Sequence, residues 1–112
     1  MNLQQKSTVK VIKKQYIFNN KNEYNDTYYI TNNEYTFQDI PEEHPMAILN
    51  KSISVKGDES KKMSKEVDGV EYDFYYGNLT MTVSNIKQPI SVYCYYHGYM
   101  GGENILKYKL NF

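Results

Sequence analysis

Cysteine and histidine are scarce in this chain, and their scarcity restricts the chemistry that it can perform. The 112 residues include one Cys and two His. A single Cys excludes an intramolecular disulfide, so its thiol is a buried small hydrophobe, a reactive nucleophile or a metal ligand. The choice among these three roles decides the functional interpretation.

Net charge and long apolar runs are also absent. The 13 basic residues balance the 13 acidic ones, which removes the long-range field that attracts nucleic acid or an acidic membrane surface. No stretch approaches the apolar run of a signal peptide or a membrane-spanning helix. We therefore expect a soluble, unexported protein that binds neither nucleic acid nor membranes.

Tyrosine, by contrast, is abundant, with 13 copies and no Trp. Short runs rich in Val, Ile, Tyr and Thr alternate with Asn, Asp, Gly and Pro, a pattern typical of an all-β domain. The length fits a single domain over residues 1–112. The predicted strands are Val9 to Phe18, Thr27 to Thr31, Tyr35 to Asp39, Ala47 to Leu49, Ser52 to Val55, Glu71 to Tyr76, Leu79 to Ser84, Ile90 to Tyr96 and Ile105 to Leu110.

Two regions have a less regular pattern. The charged stretch between Gly57 and Gly69 predicts either one short helix near residues 58–66 or a solvated loop. The opening segment, residues 1–33, contains paired asparagines at 19 and 20 and again at 32 and 33. It therefore predicts edge strands or a hairpin rather than a separate domain.

The strand that contains the only Cys has a clear two-residue period. Ile90, Val92 and Cys94 fall on one face, whereas Tyr93 and Tyr95 fall on the other. The pattern predicts that Cys94 points into the protein at the end of its strand.

Three donor residues follow one another at equal spacing in Cys94-Tyr-Tyr-His97-Gly-Tyr-Met100. Glycines at 98, 101 and 102 allow the chain to fold back after the strand, so that a thiolate, an imidazole and a thioether converge. In a continuing strand the three donors would instead separate by about 3.3 Å per residue. The spacing therefore predicts a loop with three metal ligands.

The only other imidazole is His44, and the following Pro45 favours an extended backbone at the entrance to a strand. Two His, one Cys and a weak axial Met form the ligand set of a trigonal blue-copper centre. Zinc usually recruits a further Cys, His or carboxylate instead of Met. Met46 is the nearest rival of Met100 for the axial position. Each residue also has a structural interpretation on its own, as a core residue or a hydrogen-bonded His.

These residues resemble the cupredoxins, the type 1 copper proteins, whose ligand loop in its shortest form, as in amicyanin, reads C-x2-H-x2-M. The order His44-Pro45 and then Tyr93-Cys-Tyr-Tyr-His-Gly-Tyr-Met-Gly-Gly102 is similar to small cupredoxin-like domains of marine microbes and large DNA viruses. The resemblance covers roughly residues 35 to 110. It implies a Greek-key β-sandwich with one copper ion, strong ligands at His44, Cys94 and His97, an axial Met100 and a partly exposed His97 through which electrons leave.

The function implied by this resemblance is single-electron transfer to a redox partner protein that the sequence does not identify. A copper-sequestering or delivery module, and a structural or virion-associated β-domain with a vestigial copper loop, are the alternatives. An enzyme is not expected, because both His belong to one site and none is left for additional histidine-bound coppers. The host cytoplasm and the virion are the expected locations, and a monomer is the default.

Overall fold

The computed structural model describes residues 3–18 and 28–108. It contains eleven short strands and one 3-10 turn, Glu59–Lys61. The strands are β1 (Lys6–Ile12), β2 (Gln15–Phe18), β3 (Tyr28–Ile30), β4 (Glu34–Ile40), β5 (Met46–Ile48), β6 (Ser54–Gly57), β7 (Lys62–Val67), β8 (Val70–Tyr75), β9 (Gly77–Thr82), β10 (Val92–Cys94) and β11 (Leu106–Tyr108). The predicted all-β class is confirmed.

Two sheets form a β-sandwich. The first has the order β2-β1-β4-β9-β6, the second has the order β10-β5-β8-β7, and β11 pairs with β3 in a separate two-stranded sheet. Between β4 and β10 the chain passes repeatedly from one of the two larger sheets to the other. This alternation places β5 and β10 side by side, although they are far apart in sequence.

The core lies between the two larger sheets. Phe37 and Leu79 of the first sheet and Met46 and Val92 of the second have no exposed surface and belong to one hydrophobic cluster. Full burial of such a side chain stabilises the fold by about 1.5–3 kcal/mol. Cys94 belongs to the same cluster, as the two-residue period of its strand predicted.

Residues on the outer face of the second sheet pack against β10 on the side away from the core. Phe74 is fully buried there, and Tyr93 and Tyr95 cover it with ring centroids at 6.3 and 5.4 Å. Both tyrosines are neighbours of Cys94 in sequence. The strand is therefore packed on its two faces, which fixes the direction in which the Cys94 side chain points.

Neither the short helix nor the solvated loop predicted for this stretch is correct, because most of residues 58–66 form a strand. Only Glu59–Lys61 makes a 3-10 turn, after which β7 pairs antiparallel with β8. The two strands are joined by Asp68 and Gly69, which both have positive φ, as a two-residue hairpin turn requires. The Asp-Gly pair is a strong signal for such a turn. As an indicator of local structure, this pair outweighs the charged composition of the stretch. No helix in the described ranges is long and apolar enough to cross a membrane.

The single strand predicted from Val9 to Phe18 is also wrong, because the chain reverses within it. β1 and β2 pair antiparallel, with Ile12 opposite Gln15. Lys13 and Lys14 between them have φ of 51° and 61°. β2 forms the edge of the first sheet, and β1 lies between β2 and β4. The paired asparagines at 19 and 20, the predicted strand start at Thr27 and the predicted strand end at residues 109–110 lie outside the described residues.

Candidate metal centre

Cys94 ends β10 at the edge of the core. It is fully buried, and its Cα lies opposite that of Met46 in the pairing of β10 with β5. It is also a free thiol. Because the strand ends here, the residues that follow Cys94 can turn back over its side chain.

A tight turn brings His97 back to Cys94. The Cys94 N–H donates to the Gly98 carbonyl at 2.7 Å, and the Gly98 N–H donates to the Cys94 carbonyl at 3.0 Å. Gly98 has a φ of +74°, a conformation that a residue with a Cβ adopts only at a cost. Gly98 therefore allows the turn that the C-x2-H spacing requires.

His44 reaches the same place from the loop that precedes β5. Its N–H donates to the Pro41 carbonyl at 3.0 Å, which closes a turn. The Tyr95 N–H donates to the Pro45 carbonyl at 3.0 Å. This second bond joins the His44 loop directly to the loop that follows Cys94.

The three side chains meet. The Cys94 Sγ lies 3.7 Å from the Nδ1 of His44 and 3.6 Å from the Nδ1 of His97. The nearest ligand atoms of all three residues lie within 4.8 Å of one another. His44, Cys94 and His97 thus form a cluster that could bind a metal ion.

The spacings within the cluster fit ligands that share one ion. A metal with a sulfur ligand at about 2.3 Å and an imidazole nitrogen at about 2.0 Å, about 120° apart, holds those two atoms about 3.7 Å from each other. The two observed sulfur-to-nitrogen distances agree with this value. The donor chemistry fits as well, because thiolate and imidazole together suit soft or borderline metals.

The environment of His44 favours the protonation state that a ligand needs. Burial, and next the neighbouring His97, lower the pKa of His44 below its ordinary value. A lower pKa means that the ring is neutral over more of the physiological pH range, and only a neutral imidazole has a free lone pair for a metal.

Met100 lies beside the cluster. It is 2% exposed, and it lines a cavity of about 560 Å³ together with His44 and His97. Its rival Met46 is fully buried in the core and is not among the residues that line this cavity. Met100 is therefore the methionine that shares a cavity with both His residues, whereas Met46 lies opposite Cys94 in the pairing of β10 with β5.

Exposure increases across the cluster from the thiol outward. Cys94 is buried, His44 is intermediate and His97 is exposed. An ion held here would be shielded from water on the thiol side and would have one ligand at the surface. The cavity beside the cluster is lined by His44, His97 and Met100 together with Val11, Lys13, Lys14 and Tyr99, and Cys94 lies behind this lining in the core.

The β1–β2 hairpin contributes to this site in a way that the sequence pattern did not indicate. Val11, Lys13 and Lys14 line the cavity, and the Tyr16 N–H donates to the Met100 carbonyl at 3.2 Å. No spacing pattern distinguishes Tyr16 from the other tyrosines. Only a predicted hairpin between β1 and β2 could have identified Tyr16, and the turn between these strands contains no residue type that usually indicates a turn.

No protein-family model, curated protein or solved structure matches this chain. The interpretation of the cluster therefore rests on its geometry and donor chemistry.

Proposed function

We propose that this protein is a type 1 copper protein that transfers single electrons through a mononuclear centre held by His44, Cys94, His97 and Met100. The observation that supports the proposal best is the approach of two imidazole nitrogens to a buried thiol at 3.6 and 3.7 Å. A soft thiolate with two imidazoles and a thioether matches the donor preference of copper more closely than that of zinc, calcium or magnesium. When bound, copper supplies a one-electron couple between Cu(I) and Cu(II).

Each residue has a distinct part in this proposal. Cys94 supplies the covalent thiolate and keeps water away from that side of the site, because it is buried. His44 and His97 would supply two imidazole ligands, and the exposed His97 would be the contact through which an electron reaches a partner. Met100 would supply a weak thioether ligand that tunes the reduction potential. The protein is proposed as an electron carrier for an unidentified redox protein, without enzymatic activity of its own.

A copper titration of the metal-free protein tests the proposal. Cu(II) is added to purified protein with a reduced Cys94, and an intense visible thiolate-to-copper band is expected to saturate at one equivalent. Cys94→Ser is expected to remove the band while the circular dichroism spectrum of the metal-free protein stays that of a β-sandwich. Saturation of a strong band in the Cys94→Ser protein, or no band in the wild type, would refute the proposal.

Voltammetry then separates electron transfer from storage. A reversible one-electron wave from the copper-loaded protein is expected for an electron carrier. A protein that shows the band but no reversible wave would instead be assigned to copper sequestration or delivery. A protein without the band would be assigned to a structural β-domain.

A further inference from the structure

Tyr16 is a buried residue of β2 that hydrogen-bonds to the backbone of two loops, the one that carries His44 and the one that carries Met100. It is 3% exposed. Its N–H donates to the Met100 carbonyl at 3.2 Å, and its hydroxyl donates to the His44 carbonyl at 2.8 Å. The Pro45 carbonyl lies further from the hydroxyl, at 3.4 Å. One residue therefore connects the loop that carries His44 with the loop that carries Met100.

The β1–β2 hairpin makes this connection possible. The two-residue turn at Lys13 and Lys14 reverses the chain, so that Tyr16 lies opposite Val11, which lines the same cavity as His44 and His97. An uninterrupted strand would carry Tyr16 away from the site at about 3.3 Å per residue. The hairpin thus brings the Tyr16 hydroxyl within hydrogen-bond distance of the loop that carries His44.

The Tyr16 hydroxyl is a hydrogen-bond donor. It is buried with the rest of the side chain, and it donates to the His44 carbonyl at 2.8 Å. Without it, a carbonyl at the edge of the core would lose its partner, which destabilises the local conformation.

We propose that Tyr16 is a positioning residue that ties the His44 loop to the Met100 loop and thereby fixes the ligand geometry before the metal binds. The inference rests on the proposed function for its copper measurements. It also makes a prediction about the metal-free protein, because the two loops are tied whether or not an ion is present.

Tyr16→Phe removes only the hydroxyl and keeps the buried ring. Tyr35→Phe is the matched control: Tyr35 is also 3% exposed, and its hydroxyl accepts a bond from the Thr31 N–H at 2.9 Å, in a different part of the fold. The first measurement is the rate at which iodoacetamide alkylates Cys94 in each metal-free protein under native conditions. The second is the position of the thiolate-to-copper band and the rate of copper transfer to a chelator.

We expect Tyr16→Phe to alkylate about fivefold faster than the wild type, as the loss of one net hydrogen bond from a local opening equilibrium predicts. We also expect its copper band to shift and its copper transfer to accelerate by a similar factor. Tyr35→Phe should show the wild-type band. Its alkylation rate should rise by no more than its loss of global stability predicts. Equal alkylation rates and equal bands in the two variants would overturn the inference. A wild type without a copper band would instead refute the proposed function, and the alkylation rates would still decide the role of Tyr16.

Discussion

Met100 and Met46 offer a paired test of which sulfur serves the metal. Both are buried in the core cluster that contains Cys94. Met46 lies opposite Cys94 in the strand pairing, whereas Met100 lines the cavity that His44 and His97 share. Met100→Leu and Met46→Leu each remove a thioether and nearly conserve the side-chain volume. The two variants therefore differ in the position of the lost sulfur far more than in packing.

The size of the change in stability and in reduction potential can be stated for each variant. Volume-conserving exchanges in a core usually cost less than about 1.5 kcal/mol of unfolding free energy, so both proteins should fold. An axial thioether stabilises the oxidised ion more than the reduced one, so its loss should raise the reduction potential. A differential loss of about 1 kcal/mol corresponds to roughly 40 mV for one electron. We expect a rise of at least this order in Met100→Leu and no comparable rise in Met46→Leu.

Protein-film voltammetry and the visible spectrum of the copper-loaded proteins make the comparison. Thermal unfolding of both metal-free variants serves as the control for packing. The reasoning is refuted if Met46→Leu changes the potential while Met100→Leu keeps the wild-type value, or if neither variant changes it.

Two further predictions concern an exposed ligand and a close contact. His97→Gly should bind copper weakly on its own and should regain a strong visible band when free imidazole is added, because the missing ligand lay at the surface; a band of wild-type strength without imidazole would contradict its role as a ligand. Gly57→Ala should lower the midpoint of thermal unfolding by several degrees, because the new Cβ would overlap the ring of Tyr75, which faces the core. Such overpacking typically costs about 1–3 kcal/mol, and an unchanged midpoint in circular dichroism would show that the ring moves freely.

The sequence predicted those features whose cause is local. The alternation of Ile90, Val92 and Cys94 with Tyr93 and Tyr95 reflects a strand with one face in the core, and the structure has that arrangement. The C-x2-H spacing and the glycine that follows predicted a turn that returns His97 to the thiol. Gly98 closes that turn.

Features that depend on an uncommon turn or on an exposed edge strand could not be predicted in the same way. Lys13 and Lys14 take positive φ although lysine gives no turn signal, so the sequence suggested one strand where the structure has two. β7 is exposed at four of its six positions. Its residues therefore show no alternation, and only the Asp68-Gly69 turn indicated a hairpin.

The site combines contacts that are local in sequence with contacts that depend on distant strands. Cys94 and His97 are close in sequence, and their approach follows from one turn. His44 lies fifty residues from Cys94, and it reaches the thiol only because β5 pairs with β10. Tyr16 depends on the hairpin that the sequence concealed, so its contact with the His44 carbonyl could be found only in three dimensions.

X-ray absorption at the copper edge of the loaded protein is the decisive measurement of the proposed ligand set, because it reports the atoms bound to the metal. We expect one short sulfur ligand at about 2.2–2.3 Å and two imidazole nitrogens at about 2.0 Å. The short sulfur should be absent in Cys94→Ser. A wild-type spectrum with only nitrogen and oxygen neighbours would show that the copper binds elsewhere and would contradict the account.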